Sequence, residues 1–391
     1  MAHELLDPAT DFYALFSDVS GADLDFWKRA RTFSEEAQPE VNDAWEKAEY
    51  PLHLIKRLGE LGLVNDGLDV PGREKMSPLA AGLVLMEVAR CDVSLCTFLA
   101  IQAGLVMRSI AYCASEEQKD EWLPALADVD KLASFGLTEP DHGSDSVALE
   151  TTARRDGDDW IINGEKYWIG HGAIGGLTVV WARMDDGEVG GFLVPQDTPG
   201  YTTEPITGKV SVRPIPQVKI MMNDMRVPES CRMPNANSFK DAASVLFATR
   251  SGVSWMALGS AMNCYEQARK HALERMQFGR PLAANQLIQQ RLTNMLQDIT
   301  AMALFCRRMA ELDASGNIVP QQASLAKLHN TRAARRVAAE ARDLLGGSGI
   351  LLENNVIRQM VDIESMHTFE GTESIQSLIV GKKITGIGAF R

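Results

Sequence analysis

The hydrophobic period of this chain changes twice, and those two changes constrain its fold more than anything else in it. Up to about residue 135 apolar residues recur at helical spacing, from 136 to about 240 the period is two, and from 241 to 391 it returns to 3.6. Phe26, Ala30 and Phe33 share one face of a helix predicted over 23–42, and Leu52, Ile55, Leu58 and Leu61 share a face over 51–61. Pro78 stands at the first turn of an apolar helix over 79–90, and a second apolar helix covers 94–113. Ser115 and Gln118 form a capping-box signature. In the middle, Thr151–Arg155, the turn Asp156-Gly157 and Trp160–Ile162 read as a hairpin, with Asn163-Gly164 as a further turn. Leu177–Ala182 and Gly191–Pro195 flank Asp186-Gly187, and Val218–Met222, Asn223-Asp224 and Met225–Val227 read as another strand pair. Long helices are predicted over 241–273, 284–313 and 319–345, with shorter ones over 353–365 and 373–383. The expected architecture is mainly α with an inserted β domain: an N-terminal helical domain (1–135), a middle β domain (136–240) and a C-terminal antiparallel helical bundle (241–391).

The charge balance excludes whole classes of partner. With 39 basic and 52 acidic residues the chain carries −13, which argues against nucleic acid and against anionic membranes. An anionic ligand would need a local basic site. The six cysteines form no CxxC and pair with no histidine at a metal spacing, so buried reduced thiols and no metal are expected. Met1–Phe16 mixes acids with apolar residues and shows no leader pattern. The apolar run Leu79–Met86 is too short to span a bilayer, and Gly388-Ala389-Phe390-Arg391 is not a peroxisomal tail, so a cytoplasmic protein is expected.

Four stretches carry chemistry. His367 to Gln376 puts the carboxylate of Glu370 between Phe369 and Gly371, ahead of a helix that Thr372 opens. Read alone, this is a helix cap with Glu373 in the first turn. Read as a site, it is a carboxylate with an apolar approach, able to act as a base. Phe135 to Asp145, rich in Gly, Thr and Ser, offers backbone and hydroxyl donors at a domain junction. Arg275 to Leu282 sets two arginines, an amide and an aromatic at a helix end, suited to phosphate or to the helix dipole alone. Gly346-Gly347-Ser348-Gly349 is a C-cap signal with room for close backbone approach. No P-loop, no strand-bound GxGxxG and no GxSxG is present, which disfavours P-loop and Rossmann nucleotide sites.

Together these strings resemble the acyl-CoA dehydrogenase family over residues 20 to 391. The resemblance rests on Leu137-Thr138-Glu139-Pro140 with Gly143-Ser144-Asp145, on Asn163 to Ile169, on Arg275 with Gln277-Phe278-Gly279, on Gly346 to Gly349 and on Phe369-Glu370-Gly371-Thr372. It implies a helical domain, a β domain and a four-helix bundle, assembled as a homotetramer with one FAD per subunit. It implies that Leu137, Thr138, Gly143, Ser144, Trp168, Ile169, Gly170 and Thr372 bind FAD. Arg275, Gln277, Phe278 and Gln286 would reach the FAD of a neighbouring subunit, with Gly346 and Gly347 at its adenosine end. Glu370 matches the family's base and Arg250 an arginine beside it. Ser144, Cys96, Phe98, Leu99, Arg250, Phe369 and Gly371 are expected around the acyl-CoA substrate. The implied reaction is α,β-dehydrogenation: Glu370 takes the α-proton while the β-hydride passes to the flavin. The thioester oxygen would accept from the Glu370 N–H, a contact worth ~3 kcal/mol in the transition state. An electron-transfer flavoprotein or O2 would then take the electrons.

Two departures bear on substrate and acceptor. Gly170-His171 follows Trp168-Ile169 where the family commonly has a threonine whose hydroxyl meets the flavin. Plant short-chain acyl-CoA oxidases share that glycine, which brings in oxygen as an acceptor. Glutaryl-CoA dehydrogenase places an arginine where this chain has Cys96, six residues after Arg90. A neutral thiol cannot pair a buried carboxylate, so a dicarboxylyl substrate is disfavoured unless Arg90 or Arg108 faces the pocket. A branch of the family keeps its base just before the Arg250 position, and Thr249 there cannot serve.

Overall fold

A computed structural model describes residues 5–389; residues 1–4 and the pair Phe390-Arg391, on which the leader and tail readings in part rest, lie outside the described residues. The chain opens with α1 (Gly21–Ala37), α2 (Val41–Lys47), α3 (Leu52–Glu60) and α4 (Pro78–Cys91). Phe26, Ala30 and Phe33 of α1 point into the core as their spacing requires. α1 ends at Ala37, short of the expected 42, because Pro39 has no N–H to extend the ladder. The Ser77 hydroxyl caps α4 by accepting from Ala80 N at 3.0 Å, with Pro78 at the first helical position. The second apolar helix has three parts: α5 (Val93–Leu99), a π-helical stretch (Ala100–Met107) and α6 (Arg108–Cys113). Eight residues of π-helix are unusual, and such segments concentrate at functional sites. Taken together, Val93–Cys113 is long and apolar enough to cross a bilayer, but it packs inside the protein as a core helix. α7 (Glu116–Ala127) starts with both bonds of the expected Ser115–Gln118 capping box.

The middle of the chain forms a seven-stranded sheet from β1 (Leu132–Gly136), β2 (Thr152–Asp156), β3 (Asp159–Gly170), β4 (Gly176–Arg183), β5 (Val189–Pro195), β6 (Tyr201–Pro205) and β7 (Gln217–Pro228). The order is β1-β4-β2-β3-β7-β6, with β5 paired to β4 and β1 running parallel to β4. Two expected turns are not turns. Asn163-Gly164 and Asn223-Asp224 lie inside the long strands β3 and β7, opposite each other across a register shift. The Asp224 N–H donates to Asn163 Oδ1 at 2.7 Å, and Asn163 Nδ2 donates to Asp224 Oδ1 at 3.1 Å. The turn-forming side chains thus bridge a bulge instead of closing hairpins.

β4 is buried on both faces. Leu177, Val179 and Trp181 belong to a large core shared with the helices, while Val180 and Ala182 belong to a smaller core internal to the sheet. The C-terminal part is α8 (Phe239–Glu274), a short hairpin of β8 (Met276–Gln277) and β9 (Arg280–Pro281), then α9 (Gln286–Ala314), α10 (Pro320–Leu344), α11 (Val356–Thr368) and α12 (Glu373–Thr385). α10 packs against α8, α9, α11 and α12, and α4 lies along α8. Where α4 and α8 cross, a Cβ on Gly259 would collide with the Met86 carbonyl oxygen. Gly259→Ala should therefore cost about 3 kcal/mol of stability, seen as a lower thermal midpoint. Gly381→Ala, which meets nothing within 4 Å, should leave the midpoint unchanged or raise it.

One buried polar junction ties the three parts together. The fully buried Arg358 of α11 pairs with Asp92, donates to the Cys91 carbonyl at 2.9 Å and reaches Asn42 Oδ1 at 2.8 Å. One turn on, Asp362 accepts from Trp45 Nε1 at 3.1 Å and from Val212 N at 2.6 Å. Burial and the nearby Asp92 push the Asp362 carboxyl up to about 7. α11 is thereby fixed to α2 and to the segment before β7 just ahead of the residues that carry the chemistry.

Candidate active site

α11 ends at Thr368 and α12 begins at Glu373, so the intervening backbone must change direction within four residues. It does so with Glu370 at φ +56° and Gly371 at φ +88°. For a glutamate the left-handed region is costly, and such strain persists only where surrounding groups enforce it. Here they do. Lys327 of α10, almost fully buried, donates its ammonium N–H groups to the carbonyls of Phe369 and Gly371. Gln376 Nε2 donates to the carbonyls of Glu370 and Gly371, each at 3.0 Å. The three carbonyls are thus held from the bundle side. Thr372 caps α12 by accepting from Ile375 N, as the simplest reading of the sequence expects.

The Glu370 carboxyl accepts from the Thr249 hydroxyl at 2.6 Å. Burial raises its pKa above the usual carboxylate value; the Thr249 bond and the cations of Lys327 and Arg250 oppose that rise without cancelling it. Burial in turn lowers the Lys327 ammonium, with Glu370 acting the other way. Arg250 lies on α8 next to Thr249, and its buried Nε has no partner among the described residues. Glu373, three residues along, is held below the usual range by the Arg332 guanidinium. Glu370 and Glu373, on either side of the Thr372 cap, are thereby driven apart in proton affinity, and Glu370 is the one suited to act as a base.

Thr249 also lines a narrow cleft. Its walls are largely apolar residues of α4, the end of α5 and the π-helix, including Leu85, Leu99, Ala103 and Gly104, together with Leu63 and Met76. Of the expected substrate residues Leu99 is in that wall, whereas Cys96, Phe98, Ser144, Arg250, Phe369 and Gly371 are not. Cys96 lies one turn before Leu99 and is fully buried against the backbone of α4, its thiol donating to the Leu85 carbonyl at 3.2 Å. Phe98 precedes Leu99 by one residue, which turns it about 100° around the helix and away from the cleft. It packs instead on the His171 ring, with centroids 5.8 Å apart. Arg90 is likewise turned away, paired with Glu266 at 2.6 Å.

The loop at 137–145 is built on a buried ion pair that the sequence strings did not reveal. Lys166 Nζ donates to Glu139 Oε1 at 2.8 Å and to the Leu137 carbonyl at 3.2 Å. Glu139 also accepts from the N–H groups of Glu150 and Thr151. Burial brings the Lys166 ammonium down to about 8. The Tyr167 N–H donates to the Thr138 carbonyl at 2.8 Å, which sets Trp168 beside the loop. Trp168, at φ +63°, shows about half its surface to solvent, and Gly143 and Ser144 are exposed. Ile169 points into the sheet's own core, so only its backbone is available to a ligand. At Gly170 a Cβ would stand 2.7 Å from Ile101 Cδ1, so Ile101 of the π-helix occupies the side-chain space there. The buried His171 accepts from the Tyr50 hydroxyl at 2.7 Å, and burial lowers its pKa to about 4, keeping it neutral.

The remaining expected residues lie elsewhere. Arg275 and Gln277 sit on the β8–β9 hairpin, whose tip residue Phe278 is 98% exposed; Gln286 is exposed at the start of α9. Gly346, at φ +58°, ends α10 beside the exposed Gly347. Along α8 the hairpin is roughly 39 Å from Thr249, and along α10 the glycines are roughly 28 Å from Lys327. Lys327 and Gln376 were missed at the sequence level. The signal for Lys327 was there: a lysine on the alanine-lined buried face of α10 has no solvent to reach.

Comparison with known proteins agrees over nearly the whole chain. Residues 22–130, 134–225 and 239–385 match the family domains described as acyl-CoA dehydrogenase N-terminal, middle and C-terminal. The chain is 32% identical over 341 residues to the mitochondrial short-chain specific acyl-CoA dehydrogenase of Mus musculus, covering 85% of this chain and 82% of that one. The glutaryl-CoA dehydrogenase of Mycobacterium smegmatis superposes with a TM-score of 0.95 at 38% identity, covering 98% and 99% of the two chains, and has also been solved in complex with FADH2. Butyryl-CoA dehydrogenase from Megasphaera elsdenii gives 0.89 at 28% identity, over 94% and 99%.

Proposed function

Because the chain belongs to the acyl-CoA dehydrogenase family, FAD-binding oxidoreductases acting on CH–CH donors, we propose that it converts a short- or branched-chain acyl-CoA thioester to the trans-2-enoyl-CoA. The observation that carries this reading is Glu370: a carboxylate of raised pKa, fixed by Thr249 and Lys327 beside an apolar cleft. An α-proton beside a thioester is acidic enough for such a base once the carbonyl oxygen is stabilised. The Glu370 N–H makes no hydrogen bond among the described residues and is the donor for that oxygen. Lys327 and Gln376 hold the carbonyls on the other side, so the N–H side of the loop is left for substrate. The Arg250 guanidinium lends positive charge near the ionised base without pairing with it directly.

The chain's residues fit FAD. A half-bare Trp168 beside the Thr138 backbone and the exposed Ser144 hydroxyl supply an aromatic face and hydrogen-bonding groups together. Leu137, Thr138, Gly143, Ser144, Trp168, Gly170 and Thr372 would hold it, and when bound it supplies the acceptor for the β-hydride. The hairpin of Arg275, Gln277 and Phe278, with Gln286, is too far from its own Glu370 to share one ligand with it. It would serve the site of a second copy, with Gly346 and Gly347. The exposed apolar side chains Met276, Leu287, Ile350 and Leu351 support association, which we read as a homotetramer. The burial of Val93–Cys113 argues against its spanning a membrane, and we read the enzyme as soluble and cytoplasmic.

The test is anaerobic. The purified protein should be yellow and should bleach on addition of butyryl-CoA; no bleaching with any acyl-CoA would refute the reading. Reoxidation by an electron-transfer flavoprotein, slow in air, favours a dehydrogenase, whereas fast peroxide release in air favours the oxidase reading that Gly170 raises.

A further inference from the structure

The cleft beside Thr249 has one charged residue in its otherwise apolar wall, Asp66. Asp66 stands in the loop between α3 and α4, at φ +47°, where the Asn65 side chain accepts from Gly67 N at 2.9 Å and sets the turn. Its carboxylate has a cationic partner within these apolar surroundings: Arg108, at the end of the π-helix, donates to Asp66 Oδ2 at 2.5 Å and to the Asp66 carbonyl at 2.8 Å. Arg108 itself is nearly enclosed; its Nη1 donates to the Tyr112 hydroxyl at 3.2 Å, and its buried Nε has no partner among the described residues. Asp66 Oδ1 likewise receives no hydrogen bond among the described residues.

The absent side chain of Gly104 fixes the spacing. A Cβ there would stand 3.3 Å from Thr249 Cγ2 and 3.8 Å from Asp66 Oδ2. Thr249, which holds the base, and Asp66 therefore both approach the same glycine of the π-helix, and the passage between them is narrow. A plain alkyl end filling this space would strip water from Oδ1 and return nothing, and an unsatisfied buried charge is expensive. A carboxylate end would meet Asp66 directly, like charge against like. A hydroxyl would donate to Oδ1 and restore the lost bond. Sites built around such a bond reject analogues that lack the donor.

We propose that the cleft selects a short acyl thioester whose far end carries a hydrogen-bond donor, a hydroxyl in the first instance, with Asp66 as its acceptor and Arg108 holding Asp66 in place, and that the same pair turns away ω-carboxyacyl groups. The inference rests on the reading of this cleft as the acyl site. Its test measures anaerobic flavin reduction of the holoenzyme by butyryl-CoA, 4-hydroxybutyryl-CoA and glutaryl-CoA. The wild type should prefer 4-hydroxybutyryl-CoA over butyryl-CoA by at least about tenfold in kcat/KM, with glutaryl-CoA slowest. Asp66→Leu should invert the first preference, and Asp66→Asn, which keeps the shape, should admit glutaryl-CoA. Binding gives a second readout: in a Glu370→Gln holoenzyme the shift of the flavin spectrum should report tighter binding of the hydroxyacyl thioester. Equal rates with the first two substrates, fast reduction by glutaryl-CoA, or Asp66 variants that slow all three alike would overturn the proposal. Bleaching by none of the three refutes the acyl-CoA reading itself, which separates the two failures.

Discussion

Glu370→Gln should give a yellow protein that no acyl-CoA bleaches at a useful rate, with flavin reduction down by about 10³- to 10⁴-fold. Glutamine keeps the length of the side chain and the backbone N–H, and its carbonyl still accepts from Thr249, so the loop and substrate binding persist. What goes is the one group able to take a proton. The pH dependence makes the assignment sharper. Burial raises the Glu370 pKa, so the wild-type rate should fall as pH drops through a value above the ordinary carboxylate range, and the residual rate of the variant should show no such limb. The sign for stability is opposite. A carboxyl whose folded pKa is raised contributes stability that is complete below its unfolded pKa and is lost as pH rises through the folded one. The variant should therefore melt no lower than the wild type above neutral pH. Retention of even a tenth of the wild-type reduction rate would place the base elsewhere.

Lys327→Met should have the next largest effect, a loss of about 10²-fold in the reductive rate. No part of Lys327 is needed as an acid or base. It secures the carbonyls of Phe369 and Gly371, and with them the left-handed backbone that aims Glu370. Methionine fills the space but leaves the Phe369 carbonyl without a donor and the Gly371 carbonyl with Gln376 alone, at about 1–3 kcal/mol, offset in part because a buried cation is gone. The readout that separates positioning from simple instability is the acid limb of the rate profile. Lys327 opposes the rise in the Glu370 pKa, so its removal should move that limb to higher pH. A slower enzyme with an unmoved limb would mean that Lys327 acts on structure alone.

The sequence made the order of elements plain because period is a local property: Phe26, Ala30 and Phe33, or the alternation of Val218, Ile220 and Met222 through β7, need no partner to be recognised. Glu370 was legible for a different reason, its place in a string whose likeness spans the chain. What stayed hidden depends on contacts distant in sequence. Asn163-Gly164 and Asn223-Asp224 each satisfy the rules for a turn, and only their facing positions across β3 and β7 convert both into a bulge. Cys96 was placed in the pocket by its correspondence to an arginine, yet its side chain is buried against α4, while Asp66, on a loop well before it in the chain, supplies the charge there. The π-helical turn shifts which side chains of Val93–Cys113 face the cleft, and periodicity assumes no such turn.

The two-faced burial of β4 has a consequence for how this protein comes apart. The residues matched as a middle domain are a unit of sequence, but their central strand gives Leu177, Val179 and Trp181 to the core of the helices on either side. Cut out alone, that segment would expose an apolar ridge with nothing to cover it. Through these residues the sheet and the helices share one core, so the three parts should melt as a single calorimetric transition.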